Sequence, residues 1–126
     1  MNYRIGIIGL LFVQSCMAPR AESNSALDAT AFELESKKGL LVDVRTDAEV
    51  ADGMIASAKH IDFYGPNFLN EMEALGKNKP LYLYCRSGGR SGQALGMLKA
   101  AGFTRVHHLE GGFMAWKASG KPSVKP

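Results

Sequence analysis

The sequence predicts an α/β fold, a parallel sheet with helices on both faces. Three observations point to it. The runs Leu40-Leu41-Val42-Asp43-Val44 and Leu81-Tyr82-Leu83-Tyr84 are largely apolar along their length, as strands buried on both sides are. Helix-forming stretches separate these runs from each other and from two further strand-like segments at 58–61 and 105–108, the alternation that builds parallel sheets. A loop with two adjacent glycines, Arg86-Ser87-Gly88-Gly89-Arg90, opens where the second run ends, and open α/β sheets bind ligands beyond the carboxyl ends of their strands.

The chain begins with a stretch that reads as targeting sequence and is left out of the fold. Arg4 precedes an apolar run at 5–13, too short to span a bilayer, which takes about 20 apolar residues. Val13-Gln14-Ser15-Cys16 resembles the lipobox of bacterial lipoproteins, although Gln14 is bulkier and more polar than that pattern usually holds. The expectation is a signal peptide over 1–16 with lipidation at Cys16. Plain secretion and an uncleaved anchor are the alternatives, and Pro19 disfavours ordinary cleavage after Ala18. All three export the domain, and lipidation makes it a periplasmic, membrane-anchored lipoprotein.

Residues 17–25 read as a linker, 26–122 as the folded domain and 123–126 as a tail. A helix is expected over 29–38 with Gly39 as its stop, then the strand 40–44. Thr46 with Glu49 makes a capping box for a short helix reaching Asp52, and Gly53 ends it. A short strand at 58–61, a helix at 65–75, the strand 81–84 with Tyr82 and Tyr84 as core aromatics whose hydroxyls reach outward, a helix at 91–101 closed by Gly102, and a strand at 105–108 follow. A helical turn at 111–118 carries Phe113 and Trp116, read with Gly111-Gly112 as packing features.

With 126 residues, 46% of them hydrophobic, the chain builds one core. Its net charge of +3 is scattered and no aromatic residues interleave with a basic stripe, which argues against nucleic acid as a partner.

Cys85 carries the chemistry. The two glycines let successive N–H groups turn inward around one point, and the helix that follows adds its free donors and positive dipole end there. With Arg86 and Arg90 close by, the thiolate is favoured over the thiol. Cys85 is therefore the candidate catalytic nucleophile, and Arg86, Ser87, Gly88, Gly89 and Arg90 the candidate substrate-binding loop. A cysteine that merely fills space does not explain this neighbourhood. If Cys16 carries lipid, Cys85 has no partner within the chain, and an unpaired exported thiol is better explained by reactivity than by packing. A Cys16–Cys85 disulfide would tie the signal region to this loop.

None of His60, His107 and His108 stands in a recognisable pairing with Cys85, as a cysteine hydrolase would require. His107 and His108 are neighbours on a strand and face opposite sides, so no shared metal is expected, and no cofactor is called for. Asp43 and Arg45, two apart, could line the same crevice. The alternative is that Arg45 pairs with Asp43 or Glu49 and shapes the turn.

Taken in order, Leu41-Val42-Asp43-Val44-Arg45 with Glu49 and Gly53-Met54-Ile55, then Cys85 to Ser91, then Leu109-Glu110-Gly111-Gly112-Phe113-Met114-Ala115-Trp116 resemble the successive motifs of a single-domain rhodanese, over roughly residues 26–120. The resemblance implies about five parallel strands with helices on both faces. It also implies a Cys85 persulfide that takes sulfane sulfur from a small donor such as thiosulfate and passes it to a thiophilic acceptor, cyanide or a thiol. Met54 stands where the family usually has histidine, Ser57 where it has glycine, and His60 where asparagine is commoner. Phosphatases and arsenate reductases of related fold use Cys-x5-Arg, whereas Cys85 to Arg90 is Cys-x4-Arg, a tighter loop. A non-catalytic persulfide carrier or interaction module is the remaining alternative.

Overall fold

The computed structural model describes residues 24–126; the expected signal peptide and Cys16 lie outside the described residues. Five strands form one parallel sheet in the order β1-β5-β4-β2-β3. They are β1 (Ser25–Leu27), β2 (Leu40–Asp43), β3 (Lys59–His60), β4 (Leu81–Tyr84) and β5 (Val106–Leu109). Five α-helices connect and cover them: α1 (Ala29–Glu35), α2 (Asp47–Ala51), α3 (Phe68–Ala74), α4 (Gly89–Ala100) and α5 (Gly112–Ala118).

Strand β4 lies at the centre and is buried along its whole length. Successive side chains of a strand point to opposite faces, so β4 feeds two cores. Leu81 and Leu83 join Val42 and Val106 beneath Phe68 and Met72 of α3 and Ala94 and Leu98 of α4. Tyr82 and Tyr84 join Leu109 beneath Ala29 and Phe32 of α1 and Phe113 and Trp116 of α5. Full burial of each large apolar side chain contributes about 1.5–3 kcal/mol, more than the roughly 1 kcal/mol net of one ladder hydrogen bond. The two side-chain layers therefore hold the central strand more firmly than its pairing does.

Most expected elements form with shifted ends. The helix expected over 29–38 stops at Glu35 and continues as a 3-10 turn, Ser36–Lys38. The capping box at α2 is complete, with Thr46 Oγ1 accepting from Glu49 N–H at 3.4 Å and Glu49 Oε1 accepting from Thr46 N–H at 3.3 Å. Helix α4 starts at Gly89, two residues before the expected Ser91, because Gly88 takes a left-handed turn at φ +103°.

Three readings are corrected. Residues 24 and 25, assigned to the linker, are held in the sheet: Asn24 Oδ1 accepts from Val106 N–H at 2.7 Å, Asn24 Nδ2 donates to Phe103 O at 3.1 Å, and Ser25 begins β1. A three-residue strand shows no period, and its partners lie 82 positions away. Val124, read as tail, pairs with Met54, each accepting the other's N–H at 2.8 Å. The hydroxyl of Tyr84, expected to reach outward, instead accepts from Ile55 N–H at 3.0 Å inside the core. Burial and the Asp43 carboxylate hold that phenol far above its ordinary pKa, as befits a structural group.

Candidate active site

Strand β4 delivers Cys85 to the carboxyl end of the sheet, beside the place where the chain, having wound outward from β2 to the β3 edge, returns to the centre. The side chain is enclosed, with 1% of the residue exposed. Backbone donors converge on its sulfur: Gly88 N–H at 3.1 Å and Ser91 N–H at 3.4 Å. The thiol lies 3.5 Å from Ser91 Oγ, to which it donates.

The loop is braced from outside by α5. Phe113 N–H donates to Cys85 O at 2.8 Å, and Met114 N–H to Arg86 O at 3.0 Å, so free donors of a helix N-terminus satisfy loop carbonyls. Gly112 makes this approach feasible. At φ +61°, a Cβ there would stand 2.5 Å from Arg86 C and O and 2.6 Å from Cys85 O. Gly111-Gly112 is thus a packing feature, as expected, but what it packs on is the Cys85 loop.

Burial pushes the Cys85 thiol up. Hydrogen bonds that the thiolate would accept from the Ser91 side chain and from the N–H groups of Ser91, Gly88 and Ser87 push it down and prevail, leaving its pKa below the ordinary thiol value. The expected direction holds, with hydrogen bonds as its leading cause. Arg90 clasps Glu49, Nη1 to Oε1 at 2.7 Å and Nη2 to Oε2 at 2.8 Å, while its charge still acts on Cys85. The Arg90 hydrogen bonds hold the Glu49 carboxyl at about 2. Arg86 is exposed, and Gly89 opens α4. Of the expected loop residues, Ser87 and Gly88 act on the sulfur through their backbones, Arg90 ties the loop to α2, and Arg86 and Gly89 make no hydrogen bond to the sulfur.

Arg45 takes the structural alternative, and with Asp43 as its partner. Its Nε and Nη2 donate to the Asp43 carboxylate at 3.0 and 2.7 Å, Nη2 also reaches Gly53 O at 2.7 Å, and the guanidinium lies 4.3 Å from the Phe113 ring centroid. Both residues are buried. His60 binds Arg45 O at 2.6 Å. His107 and His108 do face opposite sides: His107 bonds Ser25 Oγ at 2.7 Å and stacks on Tyr82, whereas His108 Nδ1 lies 2.9 Å from Ser91 Oγ.

Two site residues escaped the sequence reading. Ser91, taken only as a helix start, is fully buried beneath the thiol. Its place six residues after Cys85, where the loop closes, was an available signal. His108 is joined to Cys85 by this one hydroxyl, and no spacing announces it. A cleft of about 640 Å³ lies elsewhere, lined by Leu41, Ile55, Trp116, Val124, Lys37 and Lys59 among others. It holds no residue of the Cys85 loop, so the donors around the sulfur, and not cavity size, locate the candidate site.

An enclosed thiol at the end of a central parallel strand, with loop N–H groups directed at its sulfur, defines an anion-stabilising cysteine site. Residues 28–119 match the family described as Rhodanese-like domain, and the chain belongs to that family. It is 42% identical over 87 residues to a sulfurtransferase of Allochromatium vinosum, covering 69% of this chain and 79% of the relative. It is 32% identical over 88 residues to the thiosulfate sulfurtransferase GlpE of Ectopseudomonas mendocina, covering 69% of this chain and 78% of the relative. Among solved structures, a rhodanese-related protein of Thermoplasma volcanium superposes with a TM-score of 0.73 at 25% identity, covering 81% of this chain and 99% of that one. A rhodanese-like domain protein of Staphylococcus aureus does so with a TM-score of 0.64 at 34% identity, covering 73% and 90%.

Proposed function

We propose that the protein is a sulfurtransferase working through a persulfide on Cys85, with thiosulfate or a similar sulfane-sulfur compound as donor and cyanide or a thiol as acceptor. The carrying observation is that the N–H groups of Gly88 and Ser91 converge on a single sulfur atom, at 3.1 and 3.4 Å. Such donors stabilise an anion at a fixed point. The relatives named above, which include a thiosulfate sulfurtransferase, support the same reading.

The chemistry is a two-step covalent relay. The Cys85 thiolate attacks the outer sulfur of the donor; a new S–S bond forms, the donor's S–S bond breaks, and sulfite leaves with its electron pair when the donor is thiosulfate. The acceptor then attacks the outer persulfide sulfur, and the Cys85 thiolate is the leaving group. Oxidation states balance without an external oxidant. In both steps the loop N–H groups hold negative charge on the cysteine.

Mixing the purified chain with thiosulfate should add the mass of one sulfur to the peptide bearing Cys85, and cyanide should then release thiocyanate. Absence of the mass gain, or equal turnover in Cys85→Ala, rejects the reading. Mass gain without turnover favours the alternative of a persulfide carrier. Hydrolysis of an aryl phosphate would favour a phosphatase, a reading that Cys-x4-Arg disfavours because the loop closes around one atom.

The Val13-Gln14-Ser15-Cys16 motif supports the further proposal that Cys16 is lipidated and holds the domain at a membrane facing the periplasm. Cys16→Ser should move the protein from the membrane to the soluble exported fraction, and an unchanged distribution rejects the anchor.

A further inference from the structure

We propose that His108 governs the ionisation of Cys85 through the Ser91 hydroxyl and is a positioning residue for the reactive thiolate. The inference rests on the reading of Cys85 as the nucleophile.

The Ser91 hydroxyl has one proton and three claimants: His108 Nδ1 at 2.9 Å, Gly88 O at 3.4 Å and Cys85 Sγ at 3.5 Å. Ser91 is fully buried, so water does not compete. When Nδ1 is bare it takes that proton, and the hydroxyl offers Cys85 only a lone pair, which suits a thiol S–H. When Nδ1 carries hydrogen it donates to Oγ, and the hydroxyl proton is released toward the sulfur, which suits a thiolate. The state of His108 therefore decides which form of Cys85 receives a hydrogen bond.

The same chain of atoms can move the proton. The Cys85 S–H bond breaks as an O–H bond forms on Ser91, while the original Ser91 O–H breaks as an N–H forms at His108 Nδ1. The products are thiolate and imidazolium, with no change in oxidation state. Loss of the Nε2 proton to solvent then leaves a neutral ring whose Nδ1–H still donates to Ser91, and the thiolate keeps three donors.

The surroundings of His108 suit this part. On α4 its neighbours are Ser91 and Gly92, and a Cβ at Gly92 would lie 3.5 Å from the ring Cε1. Just past β4 the titratable group is Cys85, reached through Ser91; β1 presents Ala26 in register, and the adjacent His107 turns to the other face. Glu110, just past β5, is the charged group acting on the ring. Burial lowers the His108 pKa and Glu110 opposes it, with burial prevailing. A histidine that is readily neutral is a proton acceptor at physiological pH.

The test is the rate of alkylation of Cys85 by iodoacetamide against pH, read by mass spectrometry on the peptide bearing Cys85 in the full chain, for wild type, His108→Asn and His108→Leu. Two inflections are expected in wild type, one from each member of a coupled pair. In His108→Asn, whose amide can donate to Ser91 but does not titrate, one inflection is expected, with the neutral-pH rate within about threefold of wild type. His108→Leu should show one inflection moved alkaline and a neutral-pH rate about tenfold lower, the effect of one pKa unit. A wild-type profile in His108→Leu, or an Asn variant that tracks Leu, overturns the proposal. Should the variants fail to fold, the wild-type chain still decides: alkylating Cys85 should shift the NMR titration of the His108 ring, and an unmoved titration overturns it. Neither readout uses a sulfur donor. A chain that shows the coupling yet takes no sulfur from thiosulfate rejects sulfur transfer and leaves this inference standing, and sulfur transfer with a His108-independent profile does the reverse.

Discussion

Arg90 sets its two terminal nitrogens on the two carboxylate oxygens of Glu49, at 2.7 and 2.8 Å, and so ties the loop that holds Cys85 to helix α2. The pair spans 41 positions of chain, and bidentate geometry makes it stronger than an ordinary surface ion pair.

Stability should depend on this pair in a defined pH window. The folded-state pKa of Glu49, about 2, lies below its ordinary 4.5. Its contribution is therefore fully present above the unfolded value and is lost as pH falls through the folded one. Glu49→Gln should cost about 1.5 kcal/mol at neutral pH. In urea melts the gap to wild type should close as pH falls from about 4.5 to about 2. A gap that is constant with pH would show that the carboxylate charge is not what matters.

Gly112→Ala should damage the loop more than the sheet. Its Cβ would fall 2.5–2.6 Å from the backbone of Arg86 and Cys85, at a φ of +61° that already disfavours a side chain. We expect a loss of about 1–3 kcal/mol in denaturant unfolding, together with slower alkylation of Cys85. An unperturbed alkylation rate in a folded variant would mean that α5 does not brace the thiol.

Ser91→Ala removes the hydroxyl that leads the downward pull on the Cys85 pKa. The folded-state pKa should rise, so the thiolate fraction at neutral pH falls, by roughly two- to tenfold for one hydrogen bond of ordinary net strength. Thiolate absorbance in the ultraviolet, followed against pH relative to Cys85→Ala, checks it.

Ser57 holds φ +70°, unlike every other described residue except glycines, at a position where rhodaneses usually carry glycine. Ser57→Gly should raise stability by about 0.5–1 kcal/mol, since glycine enters this region without a Cβ penalty. A loss on substitution would indicate that the serine side chain makes a compensating contact.

How much was legible follows from how far apart the cooperating residues are. The β2 and β4 runs, the Thr46–Glu49 capping box, the glycine turn before α4 and the Cys85 loop are each written within a few adjacent residues. Backbone preference and side-chain pattern act over that distance. The strand β1 was not legible, because three residues carry no period and its hydrogen bonds go to β5. The arginines illustrate the other limit. Their positive charge beside Cys85 was plain, but the geometry was not: Arg90 pairs with Glu49 while its charge still acts on Cys85, and the leading downward pulls on the thiol come from Ser91 and backbone donors.

The order of residues alone therefore established an α/β sheet, the strand end that bears Cys85, and a glycine loop able to turn its N–H groups toward one atom, because these depend on local backbone conformation. Tertiary structure decided which charges meet. It placed Arg90 on Glu49, Arg45 on Asp43, and His108 against Ser91 across 17 positions. Electrostatic and hydrogen-bond pairing acts through space over a few ångströms, and only the packed sheet brings such distant segments that close.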